Sequence, residues 1–172
     1  MLVTRLFPGE AGGREIKTHD SDESEQTKGR FCTMSKVAVI YWSGTGNTEA
    51  MAQAVAEGAK AAGAETDLLA CADVSGVDGY DAVALGCPTM GSEELEDGEF
   101  LPMLEGIEPA LPGKKVALFG SYGWGDGEWM RTWEARCAEK GITLASASVT
   151  ANEAPDDDAL AACRALGAAL TK

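Results

Sequence analysis

Downstream of Met34 the apolar residues fall into short continuous runs, and the stretches between the runs carry an apolar residue every three or four positions. A continuous run suits a strand covered on both faces, and the wider spacing suits a helix with one buried side. The pattern predicts strands at Val37–Tyr41, Thr66–Ala70, Ala82–Leu85 (closed by Gly86), Lys115–Phe119 and Thr143–Val149. It predicts a helix over Thr48–Ala62, with Met51, Val55, Ala59 and Ala62 inward and Gly63 as its stop. A short helix at Phe100–Leu104 runs into a turn marked by Pro109, Pro112 and Gly113. A third helix spans Glu128–Lys140, with Met130, Trp133 and Cys137 on one face and Gly141 past its end. Pro155 and the aspartates at 156–158 open a last helix whose inner face carries Leu160, Cys163, Gly167 and Leu170. The fixed φ of proline and the negative charge of aspartate both suit a helix N-terminus. Strands alternating with helices in this way predict an α/β fold: a doubly wound, five-stranded parallel sheet with helices on both faces.

The chain of 172 residues has room for one domain. Residues 1–33 read differently from the rest. Between Gly9 and Arg30 the only large aliphatic residue is Ile16, amid Gly, Ser, Thr and charges of both signs. Such a segment buries too little surface to offset its ordering entropy, so a disordered leader or upstream extension is expected there, with the folded domain over 34–172. The 28 acidic residues outnumber 14 basic ones, for a net charge of -14. That balance repels nucleic acid and anionic membrane and favours basic protein surfaces as partners. The five cysteines form no C-x-x-C pair and read as small core side chains. His19 is the only histidine, which removes His-based metal sites and acid–base catalysis from the domain. Without an apolar run of membrane-spanning length or the order of a secretory signal, the chain reads as a cytoplasmic monomer.

In an open parallel sheet, ligands bind past the carboxyl ends of the strands where strand order reverses. Past the first strand lies Ser43-Gly44-Thr45-Gly46-Asn47-Thr48, opening directly into a helix. Glycines let the backbone wrap closely, and N–H groups at a helix start attract an anion. The loop lacks the lysine of a Walker A sequence and the spacing of a pyrophosphate fingerprint, so its hydroxyls suit a single phosphate monoester. Past the third strand come Thr89-Met90-Gly91-Ser92-Glu93, and past the fourth Ser121-Tyr122-Gly123-Trp124-Gly125-Asp126. Met90 and Trp124, one large apolar side chain in each flexible loop, can wall a slot for a flat ring system.

The segments Tyr41–Glu49, Met90–Glu93 and Gly120–Gly127 resemble the flavodoxin family, in its short-chain, anaerobe-type form, and the likeness spans residues 35–172. The resemblance implies strand order 2-1-3-4-5 and a low-potential one-electron carrier with non-covalent FMN, without catalytic residues or a metal. It implies that Ser43, Gly44, Thr45, Gly46, Asn47 and Thr48 hold the phosphate and that Met90 and Trp124 flank the ring. Thr89, Gly91, Ser92, Glu93, Ser121, Tyr122, Gly123, Gly125 and Asp126 would contact its edges, with Asn152 close by. The peptide between Gly91 and Ser92 is expected to turn over on one-electron reduction. Ser92 stands where Asp is common in relatives, which removes one negative charge beside the ring. The implied partners are reductases and ferredoxin-dependent enzymes with basic surfaces. The rival readings are an FMN-dependent NAD(P)H:quinone reductase on the same fold and a receiver-like domain. The latter needs an aspartate where Leu85-Gly86-Cys87 stands.

Overall fold

A computed structural model describes residues 33–172, so the expectation for the leader lies, Thr33 aside, outside the described residues. The elements in chain order are β1 (Lys36–Tyr41), α1 (Asn47–Ala61), β2 (Glu65–Ala70), β3 (Ala82–Gly86), α2 (Phe100–Ile107), β4 (Lys115–Tyr122), α3 (Glu128–Glu139), β5 (Val149–Asn152) and α4 (Asp157–Ala169). The strands are all parallel, in the order β2-β1-β3-β4-β5. The direction of winding therefore reverses between β1 and β3, and this locates the crevice at their carboxyl ends.

Side chains alternate across the sheet as the pleat requires. Val37 and Val39 pack with α1 and α4, whereas Ala38 and Ile40 pack with α2 and α3. Both sides are fully buried, which is why the runs read as continuously apolar. Gly63 (φ 91°) and Gly141 (φ 72°) end α1 and α3 in the left-handed conformation. Their N–H groups bond Lys60 and Ala138, and the next residues reach back to Ala59 and Cys137, so the last carbonyls are satisfied. Ala62, expected to face inward, is the exposed cap residue of α1.

The fifth strand is displaced from Thr143–Val149. Leu144 makes an isolated bridge to Val116. By Val149 the pairing has reached Phe119. The later segment thus carries two more residues than β4 over the same span, and they loop out at Ser146–Ser148. Ser148 donates its hydroxyl to Glu134 of α3, which holds the excursion in place. Regular pairing resumes opposite Phe119–Tyr122, and this is why β4 runs three residues past its apolar core. The turn after α2 is anchored by Glu108, whose buried carboxylate accepts both Nε (2.6 Å) and Nη2 (3.0 Å) of Arg136.

Helices α1 and α4 approach at backbone distance. A Cβ on Gly167 would meet the Val55 carbonyl, and one on Gly58 would meet the Arg164 carbonyl. Gly167→Ala should therefore destabilise the domain by about 1–3 kcal/mol through overpacking. Gly106→Ala, on α2 with open space at that position, should instead stabilise by about 0.5–1 kcal/mol. Urea denaturation of the two variants checks the contrast, and an unchanged midpoint for Gly167→Ala would refute the close crossing.

Candidate functional site

β1 delivers the chain to a turn that ends at Gly46 (φ 90°), the residue before α1. Ser43 Oγ accepts the Gly46 N–H at 3.0 Å and closes the turn on itself. No side chain caps α1, so the N–H groups of its first turn keep free hydrogen-bonding capacity for an anion. Thr48 is buried, and its hydroxyl meets that of Ser121 at 3.1 Å. That contact ties the turn to the carboxyl end of β4.

The loops after β3 and β4 are interlocked. Thr89 N–H donates to Ser121 O (3.0 Å), and the buried indole of Trp129 donates to Cys87 O (3.2 Å). A Cβ on Gly120 would collide with that same Cys87 carbonyl, so only glycine permits the approach. Met90 and Glu94 exchange two backbone bonds of 2.8 Å and pinch the first loop at its base. Between them Gly91 (φ 51°) and Glu93 (φ 58°) take the left-handed region. Glu93 then turns its carboxylate away from the cleft to accept the N–H groups of Asp126 and Glu128, both at 3.2 Å, at the start of α3. Gly127, which precedes that helix, has no side chain of its own to cap it. Glu96 serves α2 in the same way, accepting Gly98, Glu99 and Phe100 N–H groups at 2.8 Å each.

The three segments enclose a cleft of about 500 Å³. Of the residues expected at the site, Gly44, Thr45, Asn47, Thr89, Met90, Ser121, Tyr122, Gly123 and Trp124 line it. Ser43, Gly46 and Thr48 shape the first turn from behind. Gly91 and Ser92 occupy the exposed tip of the second loop, Glu93, Gly125 and Asp126 gather at the start of α3, and Asn152 pairs with Tyr122 at the end of β5. Trp42, Pro88 and Glu153 also line the cleft and were not anticipated. The Trp42 indole donates to Glu99 at 3.0 Å, and Glu153 N–H donates to Tyr122 O at 2.7 Å. A large aromatic immediately after a buried strand was a usable signal for Trp42; nothing in the sequence separates Glu153 from Asn152.

Two features of the cleft ask for a ligand. Met90 (37% exposed) and Trp124 (49%) hold apolar side chains in solvent, in a domain whose other large side chains are mostly buried. Thr89 Oγ1 is buried in the lining with no hydrogen-bond partner, an arrangement that costs free energy until a ligand atom supplies one. Neutral N–H and hydroxyl groups for a phosphate, two apolar walls and an orphan hydroxyl together fit FMN. The surrounding field is acidic. Carboxylate oxygens of Glu93, Asp126 and Glu128 lie within 4.8 Å of one another, and the nearby cation Arg131 is bonded to Asp126 (2.9 Å). The four described cysteines are buried and unpaired. Burial pushes the Cys87 thiol beside the cleft up to about 12, so it stays protonated and unreactive.

The fold and this cleft define an FMN-binding electron-transfer protein. Comparison with known proteins agrees. Residues 39–167 match the model of the flavodoxin family. The flavodoxin of Megasphaera elsdenii is 48% identical over 138 residues, covering 79% of this chain and 98% of that protein. The flavodoxin of Clostridium beijerinckii is 44% identical over 122 residues, covering 69% and 88%. A solution structure of two-electron reduced Megasphaera elsdenii flavodoxin superposes with a TM-score of 0.71 over 78% of this chain and 98% of that one, at 47% identity. The chain belongs to the flavodoxin family, as a short-chain member.

Glu96 offers a direct test of how the second loop is held. Burial opposes ionisation of its carboxyl, but the three backbone donors outweigh it and hold the group below its ordinary value of 4.5. A carboxyl whose folded value is depressed contributes stability above the unfolded value and loses it as pH falls through the folded one. Glu96→Ala should cost about 1–2 kcal/mol at pH 7, as loss of a helix cap does. The difference from the parent should shrink in thermal melts as the pH drops below 4.5. A pH-independent difference would show that the charge plays no part.

Proposed function

We propose that the chain is a cytoplasmic, monomeric, low-potential electron carrier between redox proteins, and that residues 34–172 are the whole of its FMN-binding unit. The observation that carries this reading is the pair of solvent-exposed apolar residues, Met90 and Trp124, in one cleft beside an uncapped helix start. When bound, FMN supplies the one-electron chemistry, and the protein supplies binding, orientation and field. In this reading Ser43–Thr48 hold the phosphate through backbone N–H groups and hydroxyls. Met90 and Trp124 cover the two faces of the ring, and Thr89, Gly91–Glu93, Ser121–Asp126 and Asn152 meet its edges, with Trp42, Pro88 and Glu153 added from the cleft.

The acidic residues have two consequences. A like charge ~12 Å from the ring opposes an added electron by about 1.4 kcal/mol at an effective dielectric near 20, less after salt screening. A one-electron step changes tenfold for each ~59 mV, so Glu93, Glu94, Asp97, Glu99, Asp126 and Glu128 together hold the potential low. The same residues attract basic partners and raise the association rate. An enzyme oxidising NAD(P)H needs an open ring face for the nicotinamide, and side chains on both faces deny it one. Among the described residues no helix is long and apolar enough to cross a membrane.

A basic ferredoxin-type reductase supplied with NADPH tests the role. The purified protein should accept electrons from it, with a rate that falls steeply as salt is added, and should oxidise no NADPH alone. A chain beginning at Met34 should behave identically. Steady NADPH oxidation without the reductase would establish an enzyme instead, and a salt-independent rate would remove the acidic docking surface.

A further inference from the structure

A second groove lies between the Glu93–Leu101 segment and α3, lined by Leu95, Leu101, Trp129, Thr132 and Trp133 and edged by Glu93, Glu94 and Asp97. We propose that it takes an apolar side chain flanked by lysine or arginine on a basic redox partner, and so anchors that partner beside the FMN cleft. The proposal deepens the carrier reading above and rests on it.

Its volume of about 290 Å³ lies just below the range for small-molecule sites, which suits a protruding side chain better than a free metabolite. Its accessible apolar surface comes from the half-buried Leu95 and Leu101, backed by the buried rings of Trp129 and Trp133. Its edge is negative. Arg136, the one cation in the lining, is bonded to Glu108 and also pairs with Glu105 at 3.6 Å. An apolar side chain alone would leave the carboxylates unanswered, whereas one flanked by cations matches the floor and the edge together.

The groove and the FMN cleft have separate linings apart from Glu93, which the carrier reading also sets at the ring edge, and they are coupled at two points. Glu93 edges the groove while its carboxylate holds the Asp126 and Glu128 N–H groups next to the loop of Trp124. Trp129 forms groove floor on one side and on the other packs against Tyr122 of the cleft, ring centroids 5.4 Å apart. Two packed aromatic rings, Trp129 and Tyr122, therefore separate groove from cleft. Trp129 and Trp133 back the groove, so the ring current of a phenyl group seated in it will shift their indole resonances.

The test titrates the FMN-loaded full chain with two blocked pentapeptides, Lys-Lys-Phe-Lys-Lys and Lys-Lys-Ala-Lys-Lys, at low salt, following the tryptophan indole resonances by NMR. The Phe peptide should bind at least tenfold more tightly and move the Trp129 and Trp133 signals. Thr132→Trp, which fills the groove from an exposed position, should reduce its affinity to that of the Ala peptide while leaving the flavin absorption spectrum unchanged. Equal affinities of the two peptides for the parent, or shifts confined to Trp124, would overturn the groove and leave acidic docking standing. Failure of both peptides to bind would overturn acidic docking as well.

Discussion

The site depends on one close approach. The Cys87 carbonyl sits against the backbone of β4 where Gly120 has no side chain, and there it accepts the indole N–H of Trp129. A single hydrogen bond of this kind contributes about 1 kcal/mol net, but breaking it would leave a buried donor and a buried acceptor unpaired, which costs more. Because Trp129 belongs to the first turn of α3, the bond fixes that helix against the end of β3. The spacing of the Met90 and Trp124 loops follows from it, as does the reach of Glu93 across to α3. The carboxyl end of the sheet is a frame closed by backbone and buried side chains, and the ligand-facing groups are left over from it.

Those leftovers concentrate at the same end. The first turn of α1 has unclaimed N–H groups, Thr89 has an unpaired hydroxyl, and Met90 and Trp124 hold apolar surface in water. Each is a small cost that a ligand supplying the missing partners would remove. The opposite end shows the reverse economy: Lys36 answers Glu65 and Asp67, and Lys114 answers the Tyr80 carbonyl. The unclaimed donors and exposed apolar groups therefore lie at the carboxyl end of the sheet, opposite the lysines.

Strands β1, β3 and β4 were legible because burial on both faces makes them unbroken apolar runs, and the glycine stops of α1 and α3 were legible because only glycine takes the left-handed cap without strain. β5 was misplaced because its pairing is interrupted. Leu144 pairs with β4 and the strand then resumes at Val149, so hydrophobicity alone weights the wrong half. At the site, local sequence showed which loops converge on the cleft, since glycine, hydroxyl and aromatic residues follow each strand. It did not show which residues line the cleft and which support it. Glu93 illustrates the limit: its carboxylate caps a helix that starts 35 residues away, a relation that exists only in the folded chain. Trp42 and Glu153 enter the cleft for the same reason, through the ends of β1 and β5 that the sheet brings together.

The most direct test of the account is a fluorescence titration of the ligand-free protein with FMN, set beside one with riboflavin. Flavin held between Met90 and Trp124 by a phosphate-binding turn should lose its emission linearly up to one equivalent, and riboflavin should bind far more weakly. Equal affinity for the two flavins would contradict the phosphate site, and full emission from bound FMN would contradict the stacking of its ring against Trp124.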